Sequence, residues 1–363
     1  MTDSMLNSAE GAHAAREQKG IVWVLYPDIL RVFAIWMVIL LHVTAPFMTD
    51  AARYGTVAWK FCIVLAPVVR TGVPLFFMLS GFLLLRMPQT RDIKQFYKTS
   101  LTRLILPLLT WNVVYFIWHI YNEGQEASVG AFVKQLLFTG TAYHMWFMYS
   151  MIAIYLIAPF LAIMTEKCSS RALALLVLIV FFFSTVRHMV NDSAGLYIDG
   201  NMSLDELHVG FFLLGYILGT VDFSRAQRWI IYLLGIAGFI CGIAGNLAAS
   251  GPGSIKLPMN EGYMWINYAT ASAVFVLARY LFSEDSRAAK SSRFRNTARR
   301  LSSVTFGVYW IHVLFLDIIS KNILYPENPV TVSIICIFLL TAALSYAAAF
   351  LMSHTGRLKR FLM

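Results

Sequence analysis

Long apolar runs, separated by short polar and basic segments, dominate the chain, and their length decides the fold class. A helix that crosses the bilayer core needs roughly 20 mostly apolar residues, and runs of about that size recur from residue 23 to residue 352. They predict helices at 23–48, 59–85, 104–121, 143–164, 172–190, 205–221, 229–249, 263–282, 304–320 and 330–352. The sixth and ninth are short and carry polar residues. The predicted fold is all-α, a polytopic membrane helical bundle of about ten transmembrane helices filling residues 23–352. Residues 1–22 lack the apolar stretch of a secretory leader and read as a cytosolic tail. Residues 353–363 read as a short basic cytosolic tail.

Composition strengthens this picture. The 363 residues are 58% hydrophobic and 13% charged, whereas soluble domains are about 45–50% apolar and about 25% charged. No stretch reads as a separate soluble domain. Basic residues then orient the bundle, because positively charged loops stay in the cytoplasm. With the N-terminus inside, 21 of the 29 Lys and Arg fall on inner segments. Only Arg53, Lys60, Lys134, Lys256 and Lys321 fall outside, and Arg31, Arg70 and Arg187 lie within helices. Both termini are expected in the cytoplasm.

The net charge of +10 is therefore mostly topological, and its scatter over many loops excludes a nucleic-acid surface. Two inner segments, 86–103 and 287–300, are unusually basic. They read either as contacts to anionic inner-leaflet lipid or as a landing site for a phosphate-rich cytosolic cosubstrate. Cys62, Cys241 and Cys336 fall in helices and Cys168 on an inner loop, with no CxxC pair. The sequence shows no metal-ligand spacing, P-loop, GxSxG or internal repeat.

Candidate chemistry begins with charge inside the membrane, where an ionisable side chain is costly and marks function by default. The first helix carries Asp28, Arg31 and His42. Arg31 and His42 are 11 residues apart, about three turns, so they share a stripe separated by about 16 Å. Asp28 is three residues before Arg31, within pairing reach. Each has a plain alternative. Asp28, after Pro27, suits a helix N-terminus. Arg31 can snorkel to the headgroups. His42 can be a satisfied core histidine, or a general base for a hydroxyl.

Asp28-x-x-Arg31-x10-His42 resembles the Arg-x10-His signature of the membrane acyltransferase-3 family. Further segments resemble that family in order: Gly72-Val-Pro-Leu-Phe-Phe-Met-Leu-Ser-Gly81, the basic stretch ending in Thr102-Arg103-Leu-Ile-Leu-Pro107, His144-Met-Trp146-Phe147, and Ser302 through Tyr309 to His312. The resemblance spans roughly residues 23–352. It implies an integral membrane O-acetyltransferase of the bacterial inner membrane, with acetyl-CoA as cosubstrate and no permanently bound cofactor. The acceptor would be a surface or exported polysaccharide or a lipid-linked sugar, reached alone or with polysaccharide-synthesis machinery. It makes His42, Arg31 and Asp28 the catalytic candidates. Arg70, Arg103, Ser80, His144, Trp146, Tyr309 and His312 become donor- or acceptor-binding candidates.

Several of these keep a second reading. Arg70 either serves an acceptor anion or the thioester oxygen, or pairs with Asp192 or Asp199. Gly72 and Gly81 read as close-packing positions, and Ser80 as bonding its own backbone. His312 is a site candidate or a packing residue. Asp317 follows His312 by five positions, about 140° around a helix, and reads as a chance H-x4-D. His119, His144 and His188 lie near outer helix ends. A glycan transporter or flippase and a non-catalytic membrane subunit are the rival readings. The catalytic reading expects a polar tunnel of about 16 Å from Arg31 to His42. Packed apolar side chains filling that space, with no route for a thioester, would overturn the catalytic reading and put the transporter or scaffold reading in its place.

Overall fold

The structure is a computed structural model that describes residues 24–194, 208–260, 264–322 and 330–363, with side chains undescribed at Asn322 and from Ser184 to Ala194 apart from Thr185. The predicted N-terminal tail 1–22, Asp199 and the side chains of Arg187, His188 and Asp192 lie outside the described residues. The described chain is helical throughout, with no strand. The main helices are α1 (Tyr26–Thr49), α2 (Val57–Val69), α3 (Gly72–Leu85), α4 (Thr102–Glu123), α5 (Val129–Phe138), α6 (Trp146–Lys167) and α7 (Ser170–Ala194). There follow α8 (Val209–Thr220), α9 (Arg225–Ala249), α10 (Trp265–Leu281), α11 (Ser292–Ser303), α12 (Thr305–Asn322) and α13 (Val330–Ser353).

The expected count of ten spans is only partly reproduced. Among the described residues, six helical stretches are long and apolar enough to cross a membrane: Tyr26–Thr49, Val57–Leu85, Ile93–Glu123, Val129–Lys167, Arg225–Ala249 and Val330–Ser353. A seventh arises if α11 and α12, bent by 58°, form one span. Ser170–Phe183 and Val209–Thr220 are shorter apolar helices. The predicted helix 59–85 is two helices with a break at Arg70 and Thr71.

The helix with the charged residues is the axis of the bundle. α1 packs against α2, α3, α10, α11, α12 and α13. Its buried residues include Leu30, Ala34, Ile35, Val38, Ile39 and Val43. Burial on several sides is the arrangement in which a helix bearing Asp28, Arg31 and His42 keeps them out of lipid.

The glycines read as packing positions do pack. α3 and α8 meet with almost no side chain between them. A Cβ built on Gly81 would run into the backbone carbonyl of Phe212, and one on Gly215 into that of Met78. Small residues let helix backbones approach where apolar transfer supplies no drive between helices.

Both basic segments, read from sequence as loops, are helical. Residues 88–101 form a 3-10 turn, a short helix Ile93–Phe96 and a π-helical turn running into α4. The Arg91–Glu166 ion pair, 3.3 Å, fastens this segment to the end of α6. The segment 287–300 is a short helix, Arg287–Lys290, followed by most of α11, which buries Ala298 and Ser302 while Arg293, Arg295, Arg299 and Arg300 stay exposed.

Two outcomes follow. Gly81→Leu should lower the melting temperature of detergent-purified protein, since overpacking costs about 1–3 kcal/mol or more. Gly130→Ala, with open space around its Cβ, should leave it level or slightly raised. For orientation, a fluorescent reporter after residue 363 should be bright and a periplasmic phosphatase reporter there inactive. An active phosphatase would invert the bundle.

Candidate functional site

Two groups of polar residues form along α1. In the first, the Arg31 guanidinium lies 3.8 Å from the Asp28 carboxylate, the i, i+3 pairing that helical spacing allows. Asp28 is buried and Arg31 half-buried. Tyr155 of α6 lies beside Ser80 and within electrostatic reach of Arg31 and Arg103. Ser80 is half-buried on α3 next to a side chain of another helix. Arg103 is exposed in the first turn of α4.

The second group surrounds His42. Its ring stacks on His312 at a centroid distance of 5.4 Å and meets Tyr143 edge-on at 5.0 Å. His312 is in turn 5.3 Å from the ring of His144. His312 is fully buried and His144 nearly so, at 0% and 2% exposure. Arg70, at the end of α2, lies within electrostatic reach of His42. His42 also lines a cavity of about 600 Å³. Tyr115, Trp118, His119 and Glu123 of α4 and Asp317 and Ser320 of α12 line its other walls.

Hydrogen bonds from neighbouring helices hold this group in place. The Tyr309 hydroxyl donates to the carbonyl of His144, 2.9 Å. The Tyr115 hydroxyl donates to the Trp310 carbonyl, 2.8 Å, and accepts from the Leu314 amide, 3.2 Å. Those are the two groups that an α-helix would pair directly, so a side chain from α4 enters the backbone ladder of α12 beside His312. Asn112 fixes the approach to His144, its side-chain oxygen accepting from the Thr141 amide at 3.0 Å.

Ion pairs line one part of the cavity wall. Trp118 Nε1 donates to Asp317, 2.7 Å. Lys321 lies 3.1 Å from Asp317 and 3.9 Å from Glu123, and His119 is 2.9 Å from Glu123. Asp317 therefore belongs to the cavity. His312 is not among the lining residues, in keeping with the 140° between the two side chains, so the H-x4-D spacing does not bring them to one wall.

Other expectations change. Trp146 is 44% exposed, packs on His208 at 5.5 Å and is not among the cavity-lining residues. The polar tunnel is not open along α1. Ile35 and Val38, four and seven residues after Arg31 on the same stripe, are 0% and 4% exposed. An apolar seam separates the Arg31 group from the His42 group.

Tyr115, Trp118, Glu123 and Tyr143 were missed in the sequence because they belong to no motif. The available signal was Tyr115-x3-His119-x3-Glu123, an i, i+4, i+8 polar stripe in an apolar helix. Among the described residues no group of three or more His, Cys, Asp or Glu is placed to hold a metal ion.

Taken together, the arrangement can hold a hydroxyl compound beside an imidazole, with cations collected at the far end of the same helix. No curated protein and no solved structure matches the chain. Residues 24–353 match the family model described as an acyltransferase domain. That match covers nearly the whole chain and the five motifs in order, and the protein belongs to the acyltransferase-3 family.

Proposed function

We propose that this membrane acyltransferase moves acetyl from cytosolic acetyl-CoA to a hydroxyl of a glycan or lipid-linked sugar. We place it in the bacterial inner membrane with both termini cytoplasmic, acting alone or beside polysaccharide-synthesis machinery. The observation that carries the reading is His42 in the wall of a cavity large enough for a sugar. Arg31 and Arg103 at the other group supply cations for the phosphates of the donor.

In this reaction His42 takes the proton as the acceptor oxygen attacks the thioester carbonyl. The new C–O bond forms, the C–S bond breaks, and the proton passes to the departing thiolate. Asp28 holds Arg31, and Arg70 faces the charge developing on the carbonyl oxygen.

The apolar seam favours a second reading, a transporter or a scaffold with the acyltransferase fold. Catalysis requires Ile35 and Val38 to part from their neighbours when the donor arm is bound. Turnover of acetyl-CoA separates the readings.

His42→Ala should lower CoA release by about 10²–10⁴-fold while the protein stays monodisperse. Wild-type release by the variant removes His42 from the mechanism. Coenzyme A binding should also weaken as salt rises, because contacts between phosphate and exposed cations are screened. Titration calorimetry at two ionic strengths reads this directly, and salt-insensitive binding would leave Arg31 and Arg103 with a topological role alone.

A further inference from the structure

The hydrogen bonding of His312 fixes its tautomer. Its Nδ1 lies 2.7 Å from the carbonyl oxygen of Tyr309. A carbonyl oxygen only accepts, so Nδ1 carries the hydrogen. In the neutral ring Nε2 is then a bare lone pair. That atom is buried and has no hydrogen-bond partner. Leaving a buried acceptor unmatched costs about 1–3 kcal/mol, which a purely structural histidine would not need to incur.

Besides Tyr309 at 6.1 Å, two imidazole rings flank His312. His144 is one, at 5.3 Å and 74°. His42 is the other, at 5.4 Å with only 27° between the planes. Of the two, only His42 lines the cavity. The surroundings also keep His312 from turning. Tyr309, whose carbonyl holds Nδ1, is anchored through its hydroxyl to the His144 carbonyl. Tyr115 braces the same turn of α12 at Trp310 and Leu314.

We infer that His312 is a positioning residue for His42, its bare Nε2 accepting the second N–H of the His42 ring when that ring becomes imidazolium. The inference rests on the reading of His42 as the base. The acceptor hydroxyl gives its proton to one His42 nitrogen. The hydrogen on its other nitrogen, which meets no acceptor on His312 in the resting structure, then turns to His312 Nε2 as the ring tilts out of the stack, and it stays on His42. When His42 returns its proton to the thiolate, the hydrogen bond relaxes. His312 remains neutral throughout, and its own Nδ1–H stays on the Tyr309 carbonyl. It acts only through His42 and touches neither substrate.

The ¹⁵N spectrum of histidine-labelled protein, with His312 assigned by the loss of its signals in His312→Gln, should show His312 protonated at Nδ1 and bare at Nε2. The opposite tautomer overturns the inference without reference to activity. In turnover, His312→Phe keeps a ring and removes the lone pair. It should lower kcat by roughly 100-fold with the KM for acetyl-CoA unchanged. His312→Gln can donate to the Tyr309 carbonyl and accept from His42, and should recover kcat to within about 10-fold of wild type. Wild-type kcat in His312→Phe, or equal loss in both variants, refutes a positioning role. Activity in His42→Ala would instead refute the reading of His42, while the tautomer assignment would stand or fall separately.

Discussion

Everything in this bundle follows from the difficulty of placing Asp28, Arg31 and His42 on one membrane helix. A charge at the bilayer centre is worth several kcal/mol against insertion. The chain answers by surrounding α1 with six other helices. Once α1 is the axis, its stripes face protein, and residues from distant parts of the sequence gather around them. Ser80, Arg103 and Tyr155 gather near Arg31, and Tyr143, His144 and His312 near His42. Close backbone contact at Gly81 and Gly215 brings α8 against α3, beside this axis.

The imidazole group is stiffer than a cluster of rings held by packing alone. Tyr115 reaches from α4 into the ladder of α12, Tyr309 reaches from α12 to the turn that carries His144, and Asn112 holds Thr141. Each bond joins two elements, so His144 and His312 keep their spacing even though they come from the turn before α6 and from α12, and His42 on α1 is held against them by its ring contacts with His312 and Tyr143. Precision of this kind comes from side chains on regular helices supported by further hydrogen bonds.

Much of this was legible in the sequence, and the rest was hidden for identifiable reasons. Arg31 and Asp28 pair because helical spacing demands it, and the glycine positions pack because nothing else fits between backbones. Apolar run length predicted helices well but not spans, since α8 and the α11–α12 pair are helical without being long, straight and apolar. α11 escaped because its periodic arginines read as a loop, although Ala298 and Ser302 mark a buried face. Asp317 escaped because the sequence does not show which face of α12 a cavity touches; it is the face of Asp317 and not that of His312. Ile35 and Val38 stood in plain view between Arg31 and His42, but sequence does not tell whether an apolar pair lines a passage or closes it.

The closed seam also bears on the cell's energy supply. A file of water running from Arg31 past His42 and the neighbouring imidazoles would join the two sides of the bilayer through rings that exchange protons readily. Such a wire would drain the ion gradient that the membrane maintains. Ile35 and Val38, excluded from water at 0% and 4% exposure, interrupt it with two dry side chains. At rest this stripe of α1 therefore offers protons no continuous path.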